Sequence, residues 1–240
     1  MKTKSFLTLA LLFCFGLSYL VAADPVFSGP QAGEKTSPFK VVEVTGTNSG
    51  KERDPVAENS GRPTVLVFVH GIERSLVPLL RVVDEYGAMR RETLTTEIVF
   101  LSADRIEGEQ RVKAAAGSLK LQSRIGLSVD GAEGPGNYGL NKECLMTIIM
   151  ANDNKVTANF ALVQPGIADA PKVLEALAKV CGDKAPPTVA QLTDVQMARS
   201  GGGRDGAPMR REGAKDGGTR PAVDLKIGRA SCRERVCLAV

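Results

Sequence analysis

The sequence predicts an α/β fold built on a central mixed sheet that is covered on both faces. Residues 64–69 (TVLVFV) form an unbroken run of apolar and β-branched side chains, which is typical of a strand buried on both faces. In residues 73–91, which follow, apolar side chains recur at steps of three and four, a spacing that indicates an amphipathic helix. Strand and helix patterns then alternate along the chain, an order that favours a sheet packed between two outer layers.

The remaining elements complete this order. Strands are predicted at 39–44, 97–101 and 125–129, and a hairpin at 145–150 and 156–163. Further helices are predicted at 56–58, 108–121 and 169–180. Asp54 precedes the first of these helices and Asp169 begins the last, so each is placed to cap a helix start. Pro78 is expected to kink the helix at 73–91 or to lie near its start, because proline lacks an amide proton.

The first 23 residues are interpreted as a secretory signal peptide. Lys2 and Lys4 form a positive start, residues 6–21 are apolar, and the small residues at 21–23 suit cleavage. An uncleaved membrane anchor is the alternative, but the apolar stretch is shorter than the roughly 20 residues that a membrane span needs. We therefore expect a secreted or periplasmic protein with no stable membrane anchor after signal cleavage.

The last 15 residues, 226–240, are interpreted as a non-native scar. Residues 226–237 (KIGRASCRERVC) resemble the translation of a common sequencing-library adapter. The alternative is a native basic tail with a Cys232–Cys237 pair. Resequencing the locus separates the two interpretations.

Between these ends the composition divides the chain into three parts. Residues 24–37 are rich in proline, glycine and polar side chains and are expected to form a flexible lead. Residues 38–182 carry all the strong strand and helix patterns and form the predicted domain. Residues 183–225 are expected to be a disordered tail with at most a weak helix at 189–198, because 7 of the 18 residues from 201 to 218 are glycine.

The net charge of +4 does not belong to the predicted domain. Residues 183–240 hold 11 basic and 7 acidic residues, whereas residues 24–182 hold 18 basic and 20 acidic ones. A nucleic-acid-binding role therefore loses its electrostatic support. Setting aside both chain ends also reduces the five cysteines to two, Cys144 and Cys181.

The pattern from residue 39 to residue 182 resembles the thioredoxin-like superfamily, and within it the redoxin-type secreted domains. The resemblance rests on the strand at 64–69, on Pro78 in the helix after it, on Tyr138-Gly139-Leu140 and on residues 148–156. It implies a three-layer fold with a central mixed sheet and a C-terminal β-hairpin plus helix. It also implies a Cys-x-x-Cys motif where the first long helix begins, and a cis-proline before a later strand.

The sequence departs from that family at both catalytic positions. The turn from His70 to Ser75 contains no cysteine, although the family's chemistry needs a thiolate there. Met146 precedes Thr147 at the cis-proline position, so a trans peptide bond is expected. In this topology the helix end that carries Cys181 lies at the opposite pole from Cys144, which implies two free thiols.

Residues 65–71 (VLVFVHG) also resemble the strand and His-Gly turn of α/β-hydrolases. That chemistry needs a serine on a Gly-x-Ser-x-Gly turn and a histidine base, and the chain has no such turn and a single histidine. A lone histidine is too few ligands for a metal site. The carboxylates of Asp130, Glu133 and Asp153 are interpreted as solvated turn residues, so neither a metal nor a cofactor is expected.

The sequence therefore predicts an exported thioredoxin-like domain that lacks the redox cysteines and has a non-catalytic binding or scaffolding role. The partner is an unknown protein or small molecule, not a nucleic acid. The alternative is a divergent thiol-disulfide oxidoreductase or peroxiredoxin-like enzyme that uses Cys144. Cys144 and His70 are the two candidate catalytic residues.

Overall fold

A seven-stranded mixed sheet forms the centre of the computed structural model, which describes residues 26–201. The strands are β1 (Val41–Glu43), β2 (Glu52–Arg53), β3 (Thr64–Val69), β4 (Thr95–Phe100), β5 (Arg124–Ser128), β6 (Met146–Asn152) and β7 (Lys155–Leu162). The helices are α1 (Pro55–Asn59), α2 (Val77–Met89), α3 (Arg105–Leu119), α4 (Ala170–Cys181) and α5 (Val189–Gly201). The predicted signal peptide, the predicted scar and most of the predicted tail lie outside the described residues.

The strand order across the sheet is β2-β1-β5-β4-β3-β6-β7. The three central strands β3, β4 and β5 run parallel, whereas β1 and β6 pair antiparallel with β5 and β3. Every residue of β3 is buried, as the apolar run predicted. This strand hydrogen-bonds to β4 on one side and to β6 on the other, so it lies in the interior of the sheet.

The first face of the sheet is covered by helices. Side chains of α2, α3, α4 and α5 pack with alternate residues of β3, β4 and β6 in one core; among them are Leu79, Val112, Leu174, Leu192, Val67, Ile98 and Ile148. The prediction that helices cover this face of the sheet is confirmed.

The second face is covered by an aromatic cluster and the short helix α1. The rings of Phe39, Phe68 and Tyr138 lie 5.1 to 5.6 Å apart, centroid to centroid. The Tyr138 hydroxyl donates a hydrogen bond to the Ser37 carbonyl oxygen at 3.0 Å. These contacts tie the loop before β6 to the segment before β1, and Val56 of α1 completes the layer.

Helix α2 begins later than the sequence pattern indicated. The predicted start was Glu73, but the helix starts at Val77, with Pro78 in its first turn. Because proline has no amide proton and a fixed φ, it fits the first turn of a helix and not its interior. Residues 72–75 are consequently an exposed loop.

Two predicted boundaries differ from the structure. The lead at 24–37 was expected to be flexible, yet Ser28 is 1% exposed, and backbone hydrogen bonds join Gly33 and Thr36 to the β6–β7 hairpin. The tail was expected to be disordered from residue 183 with at most a weak helix at 189–198. In the structure this helix spans Val189–Gly201 as α5 and packs on α2, where Arg199 pairs with Glu85 at 2.7 Å. Both segments gain order from contacts with residues distant in sequence, which local composition does not encode.

A buried ion pair connects β2 to β4. The Arg53 guanidinium donates two hydrogen bonds to the Glu97 carboxylate, at 2.5 and 3.1 Å, and its Nε lies 2.9 Å from Glu43. The side chains of Arg53 and Glu97 are 6% and 0% exposed. Burial raises the pKa of Glu97, and the charge of Arg53 opposes that rise. Arg124 supports the pair from β5.

Replacing Arg53 by methionine is expected to lower the free energy of unfolding at neutral pH by about 3–5 kcal/mol, because a buried charge loses its partner. The loss should shrink as the pH falls through the raised pKa of Glu97, since the protonated carboxyl carries no charge. Urea unfolding at pH 7 and about pH 5 measures both effects. Arg111→Met, which removes an exposed pair with Glu107, is the control and should cost less than about 0.5 kcal/mol. A loss no larger than the control's would contradict the assigned role.

Replacing Leu192 by alanine is expected to destabilise the domain by about 2–5 kcal/mol, because the side chain is 1% exposed in the core beneath α5. Met197→Ala on the same helix is the matched control; this side chain is 65% exposed, and its loss should change stability by no more than about 0.5 kcal/mol. Urea unfolding curves of both variants give the comparison. Equal, small effects would mean that α5 does not belong to the folded domain.

Candidate functional site

The two candidate residues, His70 and Cys144, meet at one edge of the sheet. The parallel strands β3, β4 and β5 end at this edge, and the antiparallel strand β6 begins there. The register pairs Val69 with Met146, and the backbone N–H of His70 donates to the carbonyl oxygen of Leu145 at 3.0 Å. The structure therefore brings together residues that are 74 positions apart in the chain.

His70 follows the last residue of β3 and is half-buried. Both of its ring nitrogens are buried, and neither has a hydrogen-bond partner among residues 26–201. Burial lowers the pKa of His70, and the nearby charge of Lys142 lowers it further. The Cys144 carbonyl lies near enough to oppose the shift without forming a well-aligned hydrogen bond. The imidazole is therefore neutral at physiological pH.

Cys144 is fully buried just before β6. Burial raises the pKa of its thiol, and the neighbouring Glu143 raises it further, while a hydrogen bond with Ser28 opposes the rise. A nucleophilic cysteine needs a depressed pKa and access to solvent. In this structure Cys144 has neither property, because its side chain is buried and the pKa of its thiol is raised.

Ser28 is the residue of this site that the sequence did not reveal. Its hydroxyl lies 2.6 Å from the Thr147 hydroxyl and accepts a hydrogen bond from the Asn141 backbone N–H at 3.0 Å. The side-chain amide of Asn159 binds the Ser28 carbonyl oxygen at 2.8 Å. Ser28 therefore lies between the site and β7, in contact with both. No motif around Ser28 in the sequence indicates this position.

The loop between β3 and α2 is the segment in which the sequence resemblance implied a Cys-x-x-Cys motif. Ile72, Glu73, Arg74 and Ser75 are all exposed. Leu76, just before α2, is fully buried, and no side chain caps the helix start. The loop offers solvent a mixed surface of one apolar and three polar side chains, and no thiol.

The peptide bond at Met146 is trans, as predicted, and so are all other peptide bonds of the described residues. Met146 itself is fully buried as the first residue of β6. It packs in the core with the helical layer.

The acidic turn residues named from the sequence do not form one group. Glu133 pairs with Lys142, and the pKa of Glu133 is lowered mainly by that hydrogen bond. Asp153 lies in the β6–β7 turn at the other edge of the sheet, with a φ of 52°. In the described part of the chain no three His, Cys, Asp or Glu side chains lie close enough together to hold a metal ion.

Cys181 belongs to a different cluster at the end of α4. The Tyr86 hydroxyl donates to the Asp183 carboxylate at 2.5 Å, and Arg90 pairs with the same carboxylate at 2.9 Å. Burial raises the pKa of the Cys181 thiol, and its hydrogen bond with Tyr86 opposes the rise. Cys144 and Cys181 are both free thiols in the structure.

Comparison with solved structures relates the fold to thiol-chemistry proteins. A protein assigned as a protein disulfide isomerase from Bacteroides thetaiotaomicron superposes with a TM-score of 0.53 and 13% identity, covering 66% of this chain and 96% of its own. A protein assigned as the thiol:disulfide interchange protein DsbE from Chlorobium tepidum gives 0.50 and 15%, covering 63% and 99%. An uncharacterized conserved protein from Geobacillus kaustophilus gives 0.51 and 13%, covering 68% and 90%.

No protein-family model matches the sequence, and no curated protein matches it. At these identities the structural likeness establishes the fold and leaves the activity open. The seven-stranded mixed sheet, the hairpin β6–β7 and the closing helix α4 agree with the arrangement that the sequence pattern implied. The chain has a thioredoxin-like fold.

Proposed function

We propose that the chain is an exported thioredoxin-like domain with a non-catalytic binding or scaffolding role. One observation carries the proposal: at the sheet edge where this fold holds its redox motif, the exposed loop has no thiol, and the thiol of Cys144 is buried with a raised pKa. The other titratable group, His70, is held neutral and has no hydrogen-bond partner in the described residues that would orient it for proton transfer.

Export is proposed from the amino-terminal sequence. Lys2, Lys4 and the apolar residues 6–21 form the pattern of a signal peptide, and residues 21–23 suit cleavage. Among residues 26–201, no helix combines the length and the apolar composition needed to cross a membrane. A secreted or periplasmic location accords with this pattern, and the partner would be a protein or small molecule of that compartment.

A thiol-dependent oxidoreductase that uses Cys144 is the second candidate. Two contacts favour it: His70 lies beside Cys144, and the hydrogen bond with Ser28 favours the thiolate form of the sulfur. The hydrogen bond with Ser28 opposes the larger effect of burial, which raises the pKa of Cys144 and favours the neutral thiol. The second candidate therefore requires an opening motion that exposes Cys144 to its substrate.

Catalytic turnover separates the two candidates. The full chain is expected to accelerate neither the reduction of insulin by dithiothreitol nor the consumption of hydrogen peroxide, because no thiolate is presented at the site. Cys144→Ser and Cys181→Ser are measured beside it. Turnover that disappears in Cys144→Ser and persists in Cys181→Ser would replace the binding role by the enzymatic one.

Alkylation of the native protein tests the closed state of Cys144 directly. Near pH 8, iodoacetamide is expected to modify Cys144 far more slowly in the folded chain than in urea, because each unit of pKa above the pH lowers the thiolate fraction about tenfold. Mass spectrometry of proteolytic peptides resolves the cysteines individually, and the half-buried Cys181 serves as the internal comparison. Equal rates at Cys144 in the native and denatured chains would show that the thiol is accessible.

A further inference from the structure

A cavity lined by arginines lies at the opposite edge of the sheet from His70 and Cys144. The parallel strands β3, β4 and β5 begin at this edge, so the segments that lead into them meet there. Arg62 precedes β3, Arg91 precedes β4, and Arg124 is the first residue of β5. All three line one cavity of about 260 Å³, whose wall contains no aspartate or glutamate.

Two of these guanidinium groups are not neutralised by a carboxylate. Arg91 donates to the Ala88 carbonyl oxygen at 3.1 Å and contacts the Gln122 side-chain oxygen at 3.5 Å. Neither Arg62 nor Arg91 forms an ion pair with any carboxylate of residues 26–201. Arg124, by contrast, is paired with Glu58 at 2.8 Å and with Glu97 at 3.5 Å. The cavity wall therefore holds two arginines that have no ion-pair partner among the described residues.

The wall of the cavity also holds two hydroxyl groups without partners. The side-chain oxygens of Thr96 and Ser123 are buried and have no hydrogen-bond partner in the described residues. Thr96 is 7% exposed. A buried hydroxyl without a partner costs free energy, so native proteins supply a partner from the protein, from water or from a ligand.

Gly87 lets α2 pack directly against Thr96 of β4 behind the cavity. A Cβ atom at Gly87 would lie 2.2 Å from the Thr96 hydroxyl oxygen, closer than any van der Waals contact allows. The absence of a side chain at this position of α2 therefore sets how closely the helix approaches the strand at the cavity wall.

Asp84 is the buried carboxylate that faces this region from α2. It accepts hydrogen bonds from the backbone N–H groups of Gln122 and Ser123, at 2.8 to 3.0 Å. These bonds satisfy the carboxylate and fix the loop before β5. Asp84 therefore fixes the backbone that carries Gln122 and Ser123 in the cavity wall.

We propose that this cavity binds a small oxyanion, a phosphate or carboxylate group, between the guanidinium groups of Arg62 and Arg91. Planar guanidinium groups bind such oxygens with paired, charge-assisted hydrogen bonds. The hydroxyl oxygens of Thr96 and Ser123 are buried within the wall and contribute no contact to the anion, because neither oxygen is exposed to the cavity. The volume is just below the range of roughly 300–1,000 Å³ typical of small-molecule pockets, so the ligand is a small anion or the charged end of one. The site lies at the opposite edge of the sheet from His70 and Cys144. The proposal does not depend on the function proposed above for the domain.

Titration with inorganic phosphate tests the site in the full chain. Isothermal calorimetry at constant ionic strength is expected to show saturable binding, and each of Arg62→Gln and Arg91→Gln should weaken it by about tenfold, the worth of a charged hydrogen bond. Arg111→Gln on α3, whose side chain is exposed and pairs only with Glu107, is the matched control and should bind as the parent does. Both cavity arginines are exposed and lack ion pairs, so their variants are expected to fold, which circular dichroism verifies.

A second titration with succinate distinguishes the two sources of the oxyanion. Saturable binding of phosphate, of succinate or of both supports the site, provided that the arginine variants weaken it and the control does not. Two results would overturn the proposal: no saturable binding of either anion, or equal binding by the parent and the double variant R62Q/R91Q. The second result would mean that the anion associates with the surface charge in general.

Discussion

The burial of β3 on both faces is the constraint on which the rest of the structure depends. Every residue of this strand is buried, so it requires a hydrogen-bonded strand on each side and a packed layer on each face. β4 pairs with it in parallel and β6 in antiparallel orientation. As a result, the end of β3 meets the end of β4 and the start of β6, while its beginning meets the beginning of β4. The strand thereby places His70 at one edge and Arg62 at the other.

The second face of the sheet is divided between two kinds of contact. Near the end of β3, the rings of Phe39, Phe68 and Tyr138 fill it. Toward the start of β4, the Glu97 carboxylate is buried there and is met by Arg53 from β2. A buried ion pair adds little net stability, but losing one partner is costly. The short β1–β2 hairpin is therefore fixed in position, since any other placement would leave Glu97 buried without its cation.

Burial patterns in single elements were readable from the sequence, and contacts between distant segments were not. The bounds of β3 follow from its unbroken apolar run, and Pro78 fixes the start of α2 more firmly than the apolar spacing does. β2 has only two residues and no pattern to detect. α5 was predicted only as a weak helix at 189–198, and Leu192 is the one fully buried side chain among its residues of known burial. Local periodicity gives a weak signal for a helix that buries so little of its surface.

The same distinction applies to the candidate site: residue types could be read from the sequence, and contacts between distant segments could not. His70 and Cys144 could be named from the sequence because their residue types carry chemistry, but their adjacency follows from the register of β3 with β6. Ser28 contacts Thr147 across 119 positions, and nothing around it in the sequence marks that contact. The arginine cavity was missed for a related reason: its three arginines lie about 30 residues apart, and only parallel strand pairing collects them at one edge.

The two ends of the parallel strands β3, β4 and β5 differ in the charged groups that they carry. At the edge with the thiol, His70 is neutral, Cys144 is protonated, and Lys142 is paired with Glu133. Among the described residues no cation contributes to the pKa of Cys144, whereas a depressed thiol pKa commonly depends on one. The two arginines without an ion-pair partner, Arg62 and Arg91, lie instead at the far end of the parallel strands. Recognition of an anion there would not require cysteine chemistry at the opposite edge, because the two sites share no residue.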